Sequence, residues 1–182
     1  MKRILALSLF PTAAFAHPGG HFDQPFLDGI LHPFSGADHL LAMVAVGLWA
    51  TVSGGRAVWA MPLSFVLALL TGGVLGASGL ALPLVEPMIL ASILLLGTAT
   101  ALALRPALPV SLLGVAAFGL AHGFAHGAEG PAQGMALYAL GFVAASACLH
   151  GLGLGLGLAL NSRVIRFLGG ATAVAGLALA FA

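Results

Sequence analysis

Beyond residue 35 the chain reads as long apolar runs broken by short polar or glycine- and proline-containing punctuation. A helix that crosses a bilayer needs about twenty mostly apolar residues. Six windows meet that need, near 36–53, 57–78, 84–104, 107–127, 134–158 and 164–181. They are separated at Ser53-Gly54-Gly55, Pro83, Arg105-Pro106, Gly130-Pro131 and Asn161-Ser162, residues that stop helices and start turns. The links are too short for structure of their own. The pattern predicts an all-α fold, an integral membrane bundle of six transmembrane helices in one membrane domain spanning 17–182.

Two stretches depart from this rhythm. "GLGLGLGLAL" at 151–160 alternates with a period of two, as a strand would. On a helical wheel, however, Gly151 and Gly155 share one face and Gly153 and Gly157 another. Small residues four apart let membrane helices approach closely, within a chain or between copies in a homo-oligomer. The second stretch is the start, "MKRILALSLFPTAAFA". Lys2 and Arg3 precede a short apolar run that closes on Ala14-Phe15-Ala16, the pattern of a signal peptide (1–16) cleaved before His17. An uncleaved anchor helix is the competing reading.

Composition agrees with a bilayer setting: 60% of residues are hydrophobic and 6% charged, where a soluble domain carries about a quarter. Cleavage would leave no lysine and four arginines against five acids, a net charge of −1. No basic patch suits a nucleic acid. Cys148 is the single cysteine, so no intramolecular disulfide can form. If His17 starts outside, the links after the first, third and fifth helices face the cytoplasm. Those links hold Arg56, Arg105 and the pair Arg163 and Arg166, as the positive-inside rule asks. Asp23, Asp28, Glu86 and Glu129 fall on the outer side, and both mature termini are expected in the periplasm.

Seven histidines occur, and their placement is patterned. His17 and His21 lie in the outer tail. His32, Asp38 and His39 stand at the mouth of the first apolar window, where burying ionisable groups is costly without a partner. The fourth window ends "LAHGFAHGAEG", placing His122, His126 and Glu129 along one helical stripe at spacings of four and three. Two separate helices thus deliver imidazole and carboxylate to the same side of the membrane. Those are ligands for Ni²⁺, Co²⁺ or Zn²⁺, and a bound cation would neutralise Asp38 and Glu129. His150 lies about sixteen residues into the fifth window, roughly 24 Å at helical rise. It suits either an inner relay ligand or a helix–helix hydrogen bond. Met43 and Cys148 offer soft sulfur but read more simply as packing. After cleavage the new amino group and His17 could chelate together, although Pro18 blocks the amide-nitrogen type of amino-terminal metal site.

The segment "HPFSGADHLLAMVAVGLWA", behind a signal peptide and a histidine-containing tail, resembles the HupE/UreJ family. Its motif His-Pro-x-x-Gly-x-Asp-His is matched by His32, Pro33, Gly36, Asp38 and His39. A second feature, His-Gly-x-x-His-Gly-x-Glu, is matched by His122, Gly123, His126, Gly127 and Glu129. The resemblance covers essentially the whole chain. It implies a multi-pass protein of the bacterial inner membrane, tied to hydrogenase or urease accessory operons, that takes up nickel and in some relatives cobalt.

The expected function is transport of a divalent metal as cargo, with no prosthetic group. The expected ligands are His32, Asp38, His39, His122, His126 and Glu129, with His17, His21 and His150 as accessories. The chain carries no nucleotide-binding motif, and no ionisable ladder crosses the windows. Facilitated uptake is therefore favoured over pumping. Two readings compete. In an intramembrane zinc hydrolase, three histidines and Asp38 would hold the metal, Glu129 would act as general base, and Ser35 or Ser146 would assist. A storage subunit would bind metal without moving it.

Overall fold

The computed structural model describes residues 24–181. The expected signal peptide, His17 and His21 lie outside the described residues. Among the described residues the structure is all helical. The order is α1 (Pro25–Leu31), a 3₁₀ turn (His32–Phe34), α2 (Ala37–Ser53), α3 (Ala57–Ala77), α4 (Val85–Ala101), α5 (Leu108–Glu129), α6 (Met135–Ala159) and α7 (Ser162–Leu179). The apolar windows fall on α2 to α7. Helix α1 is additional: its seven residues are too few to show an apolar period.

Four helices, α3, α5, α6 and α7, are long and apolar enough to cross a bilayer. A fifth span arises if α1, the 3₁₀ turn and α2 count as one, bent by 80° at the break. Helix α4 is shorter because its backbone turns away at Ala103 (φ 53°), before the apolar window closes at 104. Two side chains take up the released carbonyls. Trp49 Nε1 donates to Leu104 O at 2.9 Å and Arg166 Nε to Ala101 O at 2.8 Å.

Local chemistry sets the other boundaries. Helix α2 stops at Gly54, whose φ of 73° glycine adopts without strain. Helix α7 starts where the Asn161 side chain accepts from the backbone N–H of Arg163 and Val164, both at 3.1 Å.

Helix α2 packs against α6, α4 and α3, while α3 pairs with α5, α4 with α7, and α1 lies on α6. Small residues make the α3–α5 contact. A methyl added at Gly123 would strike the Leu69 carbonyl, and one at Gly127 the Gly73 carbonyl. The glycine stripe of α6 divides in two. Gly153 and Gly157 pack on Val44, Gly47 and Thr51 of α2, whereas Gly151 and Gly155 face open space. Leu67, Val74, Leu113 and Phe167 project from the outer surface, as a lipid-facing shell requires.

The charges separate along the bundle. Arg105 and Arg166 line one cavity with Thr51, Gly157 and Ser162, and Arg56 opens α3 at the same end. The opposite end gathers His32, His39, His122 and His126.

Candidate metal centre

The break before α2 builds half of this site. Pro33 cannot donate a backbone hydrogen bond, and Gly36 is extended (φ −115°, ψ 125°), so α1 does not run on into α2. The chain turns, and His32 comes to lie beside α5. Asp38 and His39 then occupy the first turn of α2, where a carboxylate suits the helix dipole. One Asp38 oxygen, Oδ1, accepts from the backbone N–H of His39 and from its Nδ1, each at 2.8 Å. Gly36 makes room for this pair: a Cβ there would crowd Asp38 Oδ1 and stand 3.2 Å from His39 Nδ1.

Helix α5 supplies the other half. Because Gly123 and Gly127 seat α5 against α3, the neighbouring stripe of His122 and His126 is buried in the bundle. Glu129 ends the same helix and stays exposed. Ring centroids lie 4.6 Å apart for His32 and His126, 4.3 Å for His39 and His126, and 4.7 Å for His39 and His122. One nitrogen each from His32 and His126 and one carboxylate oxygen of Glu129 fall within 4.8 Å of one another. Ligand atoms around a small divalent ion sit roughly 3.4 Å apart, so modest side-chain rotations would close the set.

The hydrogen bonds also dictate which nitrogens are free. With Nδ1–H of His39 given to Asp38, its buried Nε2 keeps a lone pair and has no partner among the described residues. Ser92 Oγ donates its single proton to Ile89 O at 2.6 Å, so at 3.0 Å from His122 Nε2 it can only accept. His122 then carries its proton on Nε2, and its unpartnered Nδ1 keeps the lone pair. Both nitrogens of His126 are buried and unpartnered among the described residues. Such groups are costly in an apolar interior unless a ligand uses them.

The six residues singled out in the sequence thus gather at one end of the bundle from the 3₁₀ turn, α2 and α5. The others lie apart. His150 is buried deeper on α6, and Cys148 is exposed. Ser35 Oγ and Ser146 Oγ donate to the carbonyls of His32 and Phe142. Three neighbours carried no signal in the sequence. Ser92 is a lone hydroxyl in an apolar run, and Tyr138 and Phe142 on α6 look like core. Yet the Phe142 ring lies 4.2 Å from His126, tilted by 43°, and the Tyr138 ring lies 5.7 Å from His32.

The family model described as HupE / UreJ protein matches residues 5–179. The chain belongs to the HupE/UreJ family. Within that family it is 46% identical to Protein HupE of Rhizobium leguminosarum bv. viciae over 180 residues, covering 96% of this chain and 94% of the relative. No solved structure matches it. Both HupE/UreJ motifs converge on the site just described. Their glycines have physical roles in it: Gly36 clears the Asp38–His39 pair, and Gly123 and Gly127 seat α5.

Proposed function

We propose that this HupE/UreJ protein carries a divalent transition metal ion, nickel and in second place cobalt, across the bacterial inner membrane to supply metalloenzyme maturation. The observation that carries the reading is the convergence of His32, His39, His122 and His126 with Asp38 and Glu129 at one end of an apolar bundle. Imidazole nitrogen and carboxylate oxygen suit these ions better than Ca²⁺ or Mg²⁺. Placement at a helix end, with one exposed carboxylate, supports capture from water and delivery into the bundle.

In this reading helices α2 to α7 are six spans and both mature termini are periplasmic. The arginine-bearing end faces the cytoplasm, in line with the positive-inside rule. The outer tail with His17 and His21 collects the ion. Transport is facilitated diffusion: a divalent cation moving inward gains from the membrane potential. The test is uptake of radioactive nickel, then cobalt, into cells lacking their own high-affinity systems. Expression of the chain is expected to raise accumulation, and Asp38→Ala or His126→Ala to abolish the rise. Normal uptake by these variants at equal expression would rule the route out. Tight binding without any uptake by the unmodified chain would point to storage or hydrolysis instead.

A further inference from the structure

His150 stands outside the cluster and has the same unmet chemistry. It is 1% exposed on α6, and neither Nδ1 nor Nε2 has a hydrogen-bond partner among the described residues. The structure therefore does not use it as a helix–helix hydrogen bond there. A neutral imidazole without partners in an apolar bundle is costly. It lies fifteen residues beyond Met135, about 22 Å along α6, past the middle of a hydrocarbon layer about 30 Å thick.

One ring touches both His150 and the innermost of the outer histidines, His122. Phe65 on α3 is fully buried, with its centroid 5.6 Å from His122 and 5.1 Å from His150. Its backbone is pinned because Gly119 of α5 packs directly on it. With the helix held there, any opening beside Phe65 has to come from its side chain.

We propose that His150 is a second, inner station for the metal ion and that the Phe65 ring is the gate between it and His122. This rests on the transport reading above. Glu129, His126 and His122 descend α5 in successive turns, and next to His122 stands Phe65, part of an apolar core that also holds Met61 and Leu149. A single imidazole past the ring gives the ion a next ligand without holding it tightly, which conduction through successive sites requires. With the ring between them the two histidines do not share an ion. Rotation of the ring lets them exchange it.

The experiment uses the full chain in proteoliposomes holding a metal-quenched dye, with Ni²⁺ or Co²⁺ added outside. Binding at the outer cluster is read separately from the visible absorption of bound Co²⁺ in detergent. His150→Gln is expected to keep the Co²⁺ spectrum and lose roughly tenfold or more in uptake, the scale on which removing a metal-site partner acts. Phe65→Leu, which keeps an apolar side chain, is expected to speed uptake, and Phe65→Trp to slow it, with the spectrum unchanged in both. Wild-type uptake by His150→Gln, or by both Phe65 variants, would overturn the proposal while leaving transport intact. Loss of the Co²⁺ spectrum in His150→Gln would overturn it too, by making His150 a structural support of the outer cluster. If the unmodified chain binds Co²⁺ but moves no more metal than empty liposomes, the transport reading fails first and the inner station with it.

Discussion

Asp38 holds His39 by two hydrogen bonds to a single carboxylate oxygen, one from the backbone N–H and one from Nδ1, both at 2.8 Å. The arrangement fixes the imidazole's tautomer and leaves its buried Nε2 lone pair without a hydrogen-bond partner among the described residues. The same carboxylate keeps Oδ2 for the ion or for water. Asp38 therefore acts on the site partly through His39. Asp38→Ala is expected to lower Co²⁺ or Ni²⁺ affinity by roughly 10- to 100-fold, as loss of a ligand-orienting carboxylate does. Asp38→Asn, which can still accept from Nδ1, should fall between. Isothermal titration of the purified protein in detergent checks both, and equal losses would show that charge alone matters.

Gly36 offers a cleaner test of the same geometry, since its backbone angles are open to any residue. A methyl group there crowds the Asp38 carboxylate and stands 3.2 Å from His39 Nδ1, and its three nearest neighbours include no backbone atom. Gly36→Ala is expected to keep the fold, seen as unchanged helical circular dichroism and melting temperature. It should weaken metal binding by about the same factor as Asp38→Ala. Adding Asp38→Ala to Gly36→Ala should then cost little more, because both act on one pair. Additive losses would separate the two.

The helices and the ligand stripe were legible because both depend on local spacing. Apolar runs of bilayer length mark α2 to α7, and the four- and three-residue spacings put His122, His126 and Glu129 on one face. Two things were not legible. Helix α1 is shorter than any reliable periodicity, and its 80° bend against α2 depends on where α6 offers a surface. The role of Ser92 depends on α4 lying next to α5, a long-range fact that a lone serine in an apolar run does not encode. The period-two glycine stretch carried its own ambiguity. Only the packing shows that Gly153 and Gly157 face α2 while Gly151 and Gly155 do not.

Ser92 gives the next prediction. Its hydroxyl accepts from Nε2–H of His122 at 3.0 Å and so leaves Nδ1 as the free nitrogen. Ser92→Ala frees the ring to take either tautomer and rotamer. Affinity for Co²⁺ is expected to fall by roughly tenfold, with a shift in the visible spectrum of the bound ion. The Ile89 carbonyl stays bonded within α4, so the fold should hold. An unchanged spectrum and affinity would mean that Nδ1 of His122 is not a ligand.

Seating α5 on α3 is a separate requirement, testable without metal. Gly127→Val forces a branched side chain into the Gly73 backbone, and relief demands that the helices move apart. Overpacking of this kind costs about 1–3 kcal/mol, to be read as a lower melting temperature in one fixed detergent. Gly151→Val is the control, since nothing lies within 4 Å of a Cβ there. Equal destabilisation by both would locate the effect in helix propensity and not in the α3–α5 contact.

His126 and Glu129 share a cluster within 4.8 Å but differ in setting, and the difference should appear in kinetics. His126 is buried with two unpartnered nitrogens, while Glu129 stands exposed at the rim. A buried ligand is needed at every step through the site, so His126→Ala should remove uptake at all metal concentrations. A rim carboxylate acts mainly at capture, by concentrating cations and offering a first ligand. Glu129→Gln keeps the shape and removes the charge. It should raise the metal concentration for half-maximal uptake by roughly tenfold and leave the maximal rate nearly unchanged. The shift should shrink in high salt, where exposed charges are screened. Initial uptake rates measured over a range of nickel concentrations at two ionic strengths decide the matter. A loss of maximal rate in Glu129→Gln as complete as that in His126→Ala would place the carboxylate in the ion's inner coordination throughout transport and not at its entrance.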